Sequence, residues 1–393
     1  IKRNLFDRSV YLLKHFPALV LLGSRQVGKT TLAQQILKSL GKDCIYFDLE
    51  NDRDLFRFEL DAQSILEDHQ DKLIVIDEIQ RLPRLFALLR SLIDQKKVSG
   101  RFLLLGSASP NVLRGVTESL AGRVSYLDLY PLNILELRPK KLYIRRHWLR
   151  GGYPNAVLAA DDSLAFKWID DYIKSYIERD LSQIFQQQIN SKIIRNFWSM
   201  LASSNGDIFN AENYARALGI TGPTVAKYLD LLEGAYLINR LQPWFTNTKK
   251  RLIKSPKVYI VDTGLLHRLN HIDSWNELQR NKLIGSSWES YVILQVVVHL
   301  PKDYRVFFYR TKNGAEADLV IVKGTQPIAL CEIKYSQTPT ISKVFYSCVE
   351  DLQTKDNIVI TPGKNDFMDQ NRGIRFMGLV PFLENYLALL SKK

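Results

Sequence analysis

The chain has 393 residues, 46% of them apolar and 24% charged, with a formal net charge of +13. That balance excludes a low-complexity or disordered polymer, and the length predicts two to four domains in place of one core. The apolar tract YVILQVVVHL (291–300) is about half of what a bilayer span needs, so no membrane partner is expected.

Three cysteines without metal-ligand spacing exclude a disulfide framework, and no secretory leader pattern is visible, so a cytoplasmic location is expected. The excess of positive charge favours an acidic partner, nucleic acid first among them.

In chain order, ALVLLG (18–23) is a buried-strand run, and KTTLAQQILKSLG (29–41) has helical periodicity ending at a glycine stop. Between them Gly23, Ser24, Arg25, Gln26, Val27, Gly28, Lys29 and Thr30 form the Walker A spacing, with Thr31 following. The glycines let the backbone turn tightly and aim N–H groups at phosphate oxygens. Lys29 is expected to reach the outer phosphates and the Thr30 hydroxyl to ligate Mg²⁺. KLIVIDE (72–78) reads as a strand tipped by two acids. Asp77 is expected to hold the Mg²⁺ through water, and Glu78 to act as general base on the attacking water. RFLLLGSAS (101–109) is a further strand, at whose end Ser107 is placed to sense the γ-phosphate. In ESLAGR (118–123), Arg123 is a candidate for stabilising transition-state charge, in cis or on a neighbouring subunit of a self-associated form. ATP and Mg²⁺ are thus the expected cofactors.

The ordered set GSRQVGKTT, LIVIDEIQ, LLLGSAS and ESLAGRV resembles the bacterial and archaeal AAA+-type ATPases whose C-terminal half is a domain of uncharacterised function. LRGGYPNAV (149–157) and YIKSYIERDL (172–181) are also similar to that family, and the resemblance covers nearly the whole chain. It implies a P-loop core, a helical region, a winged-helix segment and a restriction-endonuclease-like end.

The residues support the later segments independently. Residues 160–205 are helical by pattern, a connector or lid with no implied chemistry. In AENYARALGITGPTVAKYLDLLEGAYLINRL (211–241) a short helix meets a turn at Gly219, and a second helix opens with Thr221 as N-cap. This is a helix-turn-helix layout, with Thr224, Lys227 and Tyr228 expected on the exposed side of the second helix. YLINRL and KVYIVD (257–262) can form a wing, its basic loop supplying Lys249, Lys250 and Arg251 as phosphate contacts. The same module also serves as a protein-binding or interdomain element.

From about residue 283 the pattern is helix, three strands, helix, strand. Asp318 stands at the start of AEADLVIVKG (315–324), and Glu332 and Lys334 lie two apart in PIALCEIKYS (327–336). An Asp followed by Glu-x-Lys on the next strand is the PD-(D/E)xK nuclease arrangement, here with Ala in place of the motif's proline. Asp318 and Glu332 would hold Mg²⁺ or Mn²⁺, joined by Glu289 from the preceding helix, with Lys334 positioning the water.

The expected fold is α/β. It comprises an AAA+-like parallel-sheet ATPase core (1–138), a helical connector (139–205), a winged helix (206–262) and a restriction-endonuclease-like domain (263–393). Three functions fit: an ATP-driven switch or motor on DNA, an ATP-regulated nuclease, or a signalling or scaffold ATPase that binds only protein.

Overall fold

The computed structural model describes residues 1–109, 120, 122–185, 189–245 and 253–390. Five strands, β1 (Ala18–Leu22), β2 (Cys44–Asp48), β3 (Leu73–Asp77), β4 (Phe102–Gly106) and β5 (Val124–Asp128), form a parallel sheet of order β2-β3-β4-β1-β5. Every residue of β1, β3 and β4 is buried, which is why these strands read as unbroken apolar runs: helices cover both sheet faces. Ala18, Val20, Leu22, Ile74 and Ile76 face helices α3 (Asp52–Asp68) and α4 (Leu85–Gln95) through Phe58, Leu85 and Leu89. Leu19, Leu21, Leu73 and Val75 face the opposite layer, where α1 (Leu5–His15) and α2 (Lys29–Leu40) contribute Leu12, Leu32 and Ile36.

After this sheet the chain turns helical. Helix α5 (Asp162–Ser175) starts at Asp161, whose carboxylate accepts from Leu164 N at 2.8 Å, and runs on into a π-helical turn at Tyr176–Asp180. Helices α6 (Ser191–Ser203), α7 (Ala211–Leu218) and α8 (Gly222–Gly234) follow. The chain reverses between α7 and α8 at Gly219, φ +66°, and the Thr221 hydroxyl accepts from Thr224 N at 3.3 Å to cap α8. Strands β6 (Ile238–Leu241) and β7 (Lys257–Ile260) pair antiparallel with Ile238 opposite Ile260. Thr224 is half-buried and Lys227 exposed, but Tyr228 is not on the exposed side of α8. Lying three positions beyond buried Val225, it joins that residue, Leu229 and Leu232 on the inward stripe. Lys249, Lys250 and Arg251 lie outside the described residues.

Helix α9 (Thr263–Leu269) begins at Asp262, a fully buried carboxylate that accepts from Gly152 N at 2.7 Å and Leu265 N at 3.1 Å. Helix α10 (Ile284–His299) precedes β8 (Tyr304–Arg310), β9 (Glu316–Lys323) and β10 (Gln326–Ile333), then α11 (Lys343–Leu352), β11 (Asp356–Thr361), β12 (Asp366–Asp369) and β13 (Ile374–Gly378). Their sheet has the order β12-β13-β11-β10-β9-β8, with β8, β9 and β10 antiparallel and β10, β11 and β13 parallel.

One continuous core runs from the helical middle into this second sheet. At its centre the Trp148 ring lies 5.2 Å from Trp288 and 5.1 Å from Tyr335, and its indole N–H donates to Ser287 Oγ at 2.9 Å. Among the described residues no helix is long and apolar enough to cross a membrane.

Candidate nucleotide site and a C-terminal ion-pair cluster

The strand order decides the first site. β4 lies between β1 and β3, so the loop leaving β1, the acids ending β3 and the serine ending β4 meet at one edge of the sheet. The Lys29 ammonium, nearly buried, donates to Gly23 O at 2.9 Å, Ser24 O at 3.1 Å and Ser107 Oγ at 2.9 Å. The Ser107 hydroxyl donates onward to Glu78 Oε1 at 2.8 Å. Lys29 and Glu78 are therefore joined through one oxygen.

Burial lowers the Lys29 pKa against the opposing pull of Glu78 and Asp77. Glu78 itself sits in the left-handed region, φ +53°, a conformation costing a non-glycine residue about 1–2 kcal/mol. Gln80 holds both neighbours: its amide nitrogen contacts the Glu78 carboxylate and its oxygen accepts from Ser107 N at 3.2 Å.

Asp77 Oδ2 accepts from Thr30 Oγ1 at 2.8 Å and from the Tyr46 hydroxyl, and burial raises its pKa above the ordinary carboxylate range. The residues suit a phosphate with its Mg²⁺. A Cβ on Gly23 would lie 2.2 Å from Leu129 O, so the loop can pack closely on the chain leaving β5; Gly28 caps α2 at φ +100° with no capping side chain, which leaves the first N–H groups of the helix to an anion. Thr30 and Asp77 offer adjacent hard oxygen donors, which suits Mg²⁺.

The loop is also held from outside, by residues that motif spacing did not signal. Arg3, buried, donates from Nη1 to Val27 O at 2.9 Å and from Nε to Glu136 Oε1 at 3.0 Å. From the helical middle, Tyr153 OH donates to Ser24 Oγ at 2.9 Å and Tyr172 OH to Arg25 O at 3.4 Å. Arg25 Nη1 pairs with Asp180 Oδ1 at 2.6 Å, and its other nitrogen contacts Glu50. Tyr172 stacks between Trp168 and Tyr176, at 5.2 Å from each. Arg123 forms a two-pronged pair with Asp94 at the end of α4, Nε to Oδ1 at 2.6 Å and Nη2 to Oδ2 at 2.8 Å.

The second group of predicted residues also converges. The Lys334 ammonium, one residue past the end of β10, lies 2.7 Å from Glu332 Oε1. Asp318 Oδ2 accepts from Ile333 N at 2.8 Å. Burial, then the charges of Glu289 and Glu332, push the Asp318 carboxyl well above its usual range. Glu289 Oε1 accepts from Tyr259 OH at 2.5 Å and faces Lys257 Nζ at 3.3 Å, both from β7 and both absent from the motif. Lys257 also pairs with Glu316 Oε1 at 2.8 Å. Burial acts to lower the Lys257 pKa, but Glu289, Asp318 and Glu316 outweigh it and raise the value. No three His, Cys, Asp or Glu side chains among the described residues converge to hold a metal ion. The carboxylates that the motif would give to a metal ion face the ammonium groups of Lys257 and Lys334 instead.

Comparison with known proteins follows the same division. Residues 15–138 match the AAA domain family, 141–276 a domain of unknown function (DUF8612) and 284–380 another (DUF4143). An uncharacterised Mycobacterium tuberculosis protein, Rv2008c, is 39% identical over 355 residues, covering 90% of this chain and 78% of that protein. The chain belongs to the same family of AAA-domain proteins. An uncharacterised Haemophilus influenzae protein is 26% identical over 278 residues, covering 63% of this chain and 67% of its own length. Among solved structures, the Walker-type ATPase PABY2304 of Pyrococcus abyssi matches with a TM-score of 0.46 at 15% identity, over 68% of this chain and 95% of that one. For this AAA-family chain the parallel sheet and its loop are a P-loop ATPase fold.

Proposed function

We propose that the chain is a Mg²⁺-dependent ATPase working as a nucleotide-driven switch, with nucleic acid as the partner of its C-terminal half. The carrying observation is the Lys29–Ser107–Glu78 junction at adjoining strand ends, with Ser24 and Arg25 of the phosphate loop gripped from outside by Tyr153, Tyr172 and Asp180.

In this reading Lys29 leaves the Ser107 hydroxyl, along with the Gly23 and Ser24 carbonyls, for the outer phosphates. Glu78, aimed by Ser107 and Gln80, takes the proton of the attacking water, and Ser107 registers the γ-phosphate. Thr30 and, through water, Asp77 would hold Mg²⁺, which would supply charge neutralisation at the phosphate oxygens. Arg123 acts on a neighbouring copy, leaving Asp94 when two copies meet. Because the loop and the connector share hydrogen bonds, a change in loop occupancy changes what Tyr153 and Asp180 can hold. The nucleic-acid reading is supported by the net charge of +13 and by Thr224 and Lys227 on the first turns of α8.

The test is ATP hydrolysis with and without single- and double-stranded DNA, at several salt concentrations. Lys29→Ala is expected to abolish turnover, and Glu78→Gln to keep ATP binding while stopping it. Turnover of Glu78→Gln at the wild-type rate would remove Glu78 as the base. DNA that neither stimulates turnover nor binds in a salt-dependent way would leave a switch that acts on protein.

A further inference from the structure

Where α10, β9 and β10 meet, four carboxylates gather: Glu289, Glu316, Asp318 and Glu332. A divalent-metal seat needs carboxylate oxygens converging on a point that holds no other cation. Here that space already holds one. Lys257 comes from β7, far away in sequence, and is 4% exposed. Its Nζ lies 2.8 Å from Glu316 Oε1 and 3.3 Å from Glu289 Oε1, and the charge of Asp318 acts on it directly. Three of the other oxygens are engaged too. Glu332 Oε1 pairs with Lys334 at 2.7 Å and Glu316 Oε2 with Arg310 at 3.1 Å. Asp318 Oδ2 takes the Ile333 amide at 2.8 Å. Four anions thus face three cations, and every member comes from a rigid element or its immediate end.

We propose that the Lys257 ammonium is the resident cation of this cluster, an ion-pair fastener between β7 and the C-terminal sheet, so that the domain neither binds a divalent metal there nor cleaves nucleic acid. The arrangement keeps the residue pattern of a metal nuclease while a lysine from another strand supplies the counter-charge. An ammonium among these oxygens repels a dication and already neutralises part of the negative charge that would draw one in. It also gives the cluster a mechanical part. β7 leads within two residues to Asp262, which binds Gly152 N beside Tyr153, the residue that holds Ser24 of the phosphate loop. The fastener anchors the far end of that connection, and it stands whether or not the chain hydrolyses ATP.

The experiment is Mn²⁺ binding to the full chain without nucleotide, followed by electron paramagnetic resonance with MnCl₂ as the probe. In the wild type, Asp318→Asn is expected to leave the number of bound Mn²⁺ unchanged, and any binding at the phosphate loop cancels in that comparison. Folded Lys257→Ala is expected to acquire one Mn²⁺ site that a second change, Asp318→Asn, removes. Lys257→Arg, which keeps the charge, should acquire none. Wild-type Mn²⁺ binding that is lost in Asp318→Asn overturns the proposal, as does Mn²⁺-dependent cleavage of DNA lost in that variant. A folded Lys257→Ala that gains no site overturns it as well. If Lys257→Ala does not fold, the wild-type and Asp318→Asn pair decides alone.

Discussion

Replacing Ser107 with Ala removes one oxygen that serves two partners, and the two losses act in opposite directions on binding and turnover. Before nucleotide binds, the Lys29 ammonium uses its three donors on Gly23 O, Ser24 O and Ser107 Oγ. Without the serine one donor of a buried charge is left without its acceptor, which costs about 1.5–3 kcal/mol. A nucleotide that draws Lys29 toward its β-phosphate must break this bond in the wild type and has none to break in the variant. Taking the lower end, with about 1.4 kcal/mol per factor of ten, ADP should bind Ser107→Ala at least about tenfold more tightly. Glu78 meanwhile loses the hydroxyl that aims it, so kcat should fall by about 10²-fold, the scale of one missing oriented hydrogen bond at a reacting centre. Isothermal titration with ADP and steady-state ATP hydrolysis read the two effects separately. Unchanged or weaker ADP affinity would refute the reasoning that the serine competes with phosphate for Lys29.

Other expectations rest on groups away from the reacting centre. Glu136→Gln leaves the Arg3 guanidinium buried without its carboxylate and should destabilise the chain by about 3–5 kcal/mol in chemical denaturation, with weakened nucleotide binding because Arg3 also holds Val27 O. Asp180→Asn, which loosens Arg25 from the connector, should keep basal ATP hydrolysis within about threefold while reducing its response to DNA, read in the same turnover assay. Burial pushes His147 and His267 each down to about 4. An unfolded histidine near 6.5 takes its proton first, so stability is lost as pH falls below 6.5; by pH 4.5 each costs about 2–3 kcal/mol, and His267→Asn should flatten that decline in denaturation series.

What could be read from the chain before its fold was local. The phosphate loop, the acids after β3 and the serine after β4 announce themselves because each combines an apolar strand with its own final residues, and a parallel sheet brings such ends together. The helices and strands from α10 to β11 were legible for the same reason, whereas β12 and β13, which complete that sheet, were not anticipated. Tyr228 was misplaced because a helix-turn-helix pattern gives the spacing of α8 but not which stripe faces inward; its neighbours Val225 and Leu229 settle that. Tyr46, Tyr153, Asp180, Arg3 and Lys257 were not legible. Each meets its partner across the fold, as Tyr153 meets Ser24 over 129 positions, and no periodicity encodes such a meeting. Glu289, Asp318, Glu332 and Lys334 do gather, but the pattern contained no trace of the lysine that joins them from β7.

The shared core around Trp148 bears on how such a protein can be inherited. The two regions of unknown function meet in sequence between residues 276 and 284, yet Trp148 of the first is packed on Trp288, Tyr291 and Tyr335 of the second. Three large aromatic surfaces would become wet if recombination exchanged one region without the other, at about 1.5–3 kcal/mol for each large apolar side chain exposed. Shuffling at that point would therefore be costly, and the two regions are expected to occur together in related chains. The joint before residue 141 is closed by apolar contacts too, Val157 packing with Leu132 and Leu137 and Tyr236 lying in the core of the parallel sheet, so a break there would expose apolar surface on both sides as well.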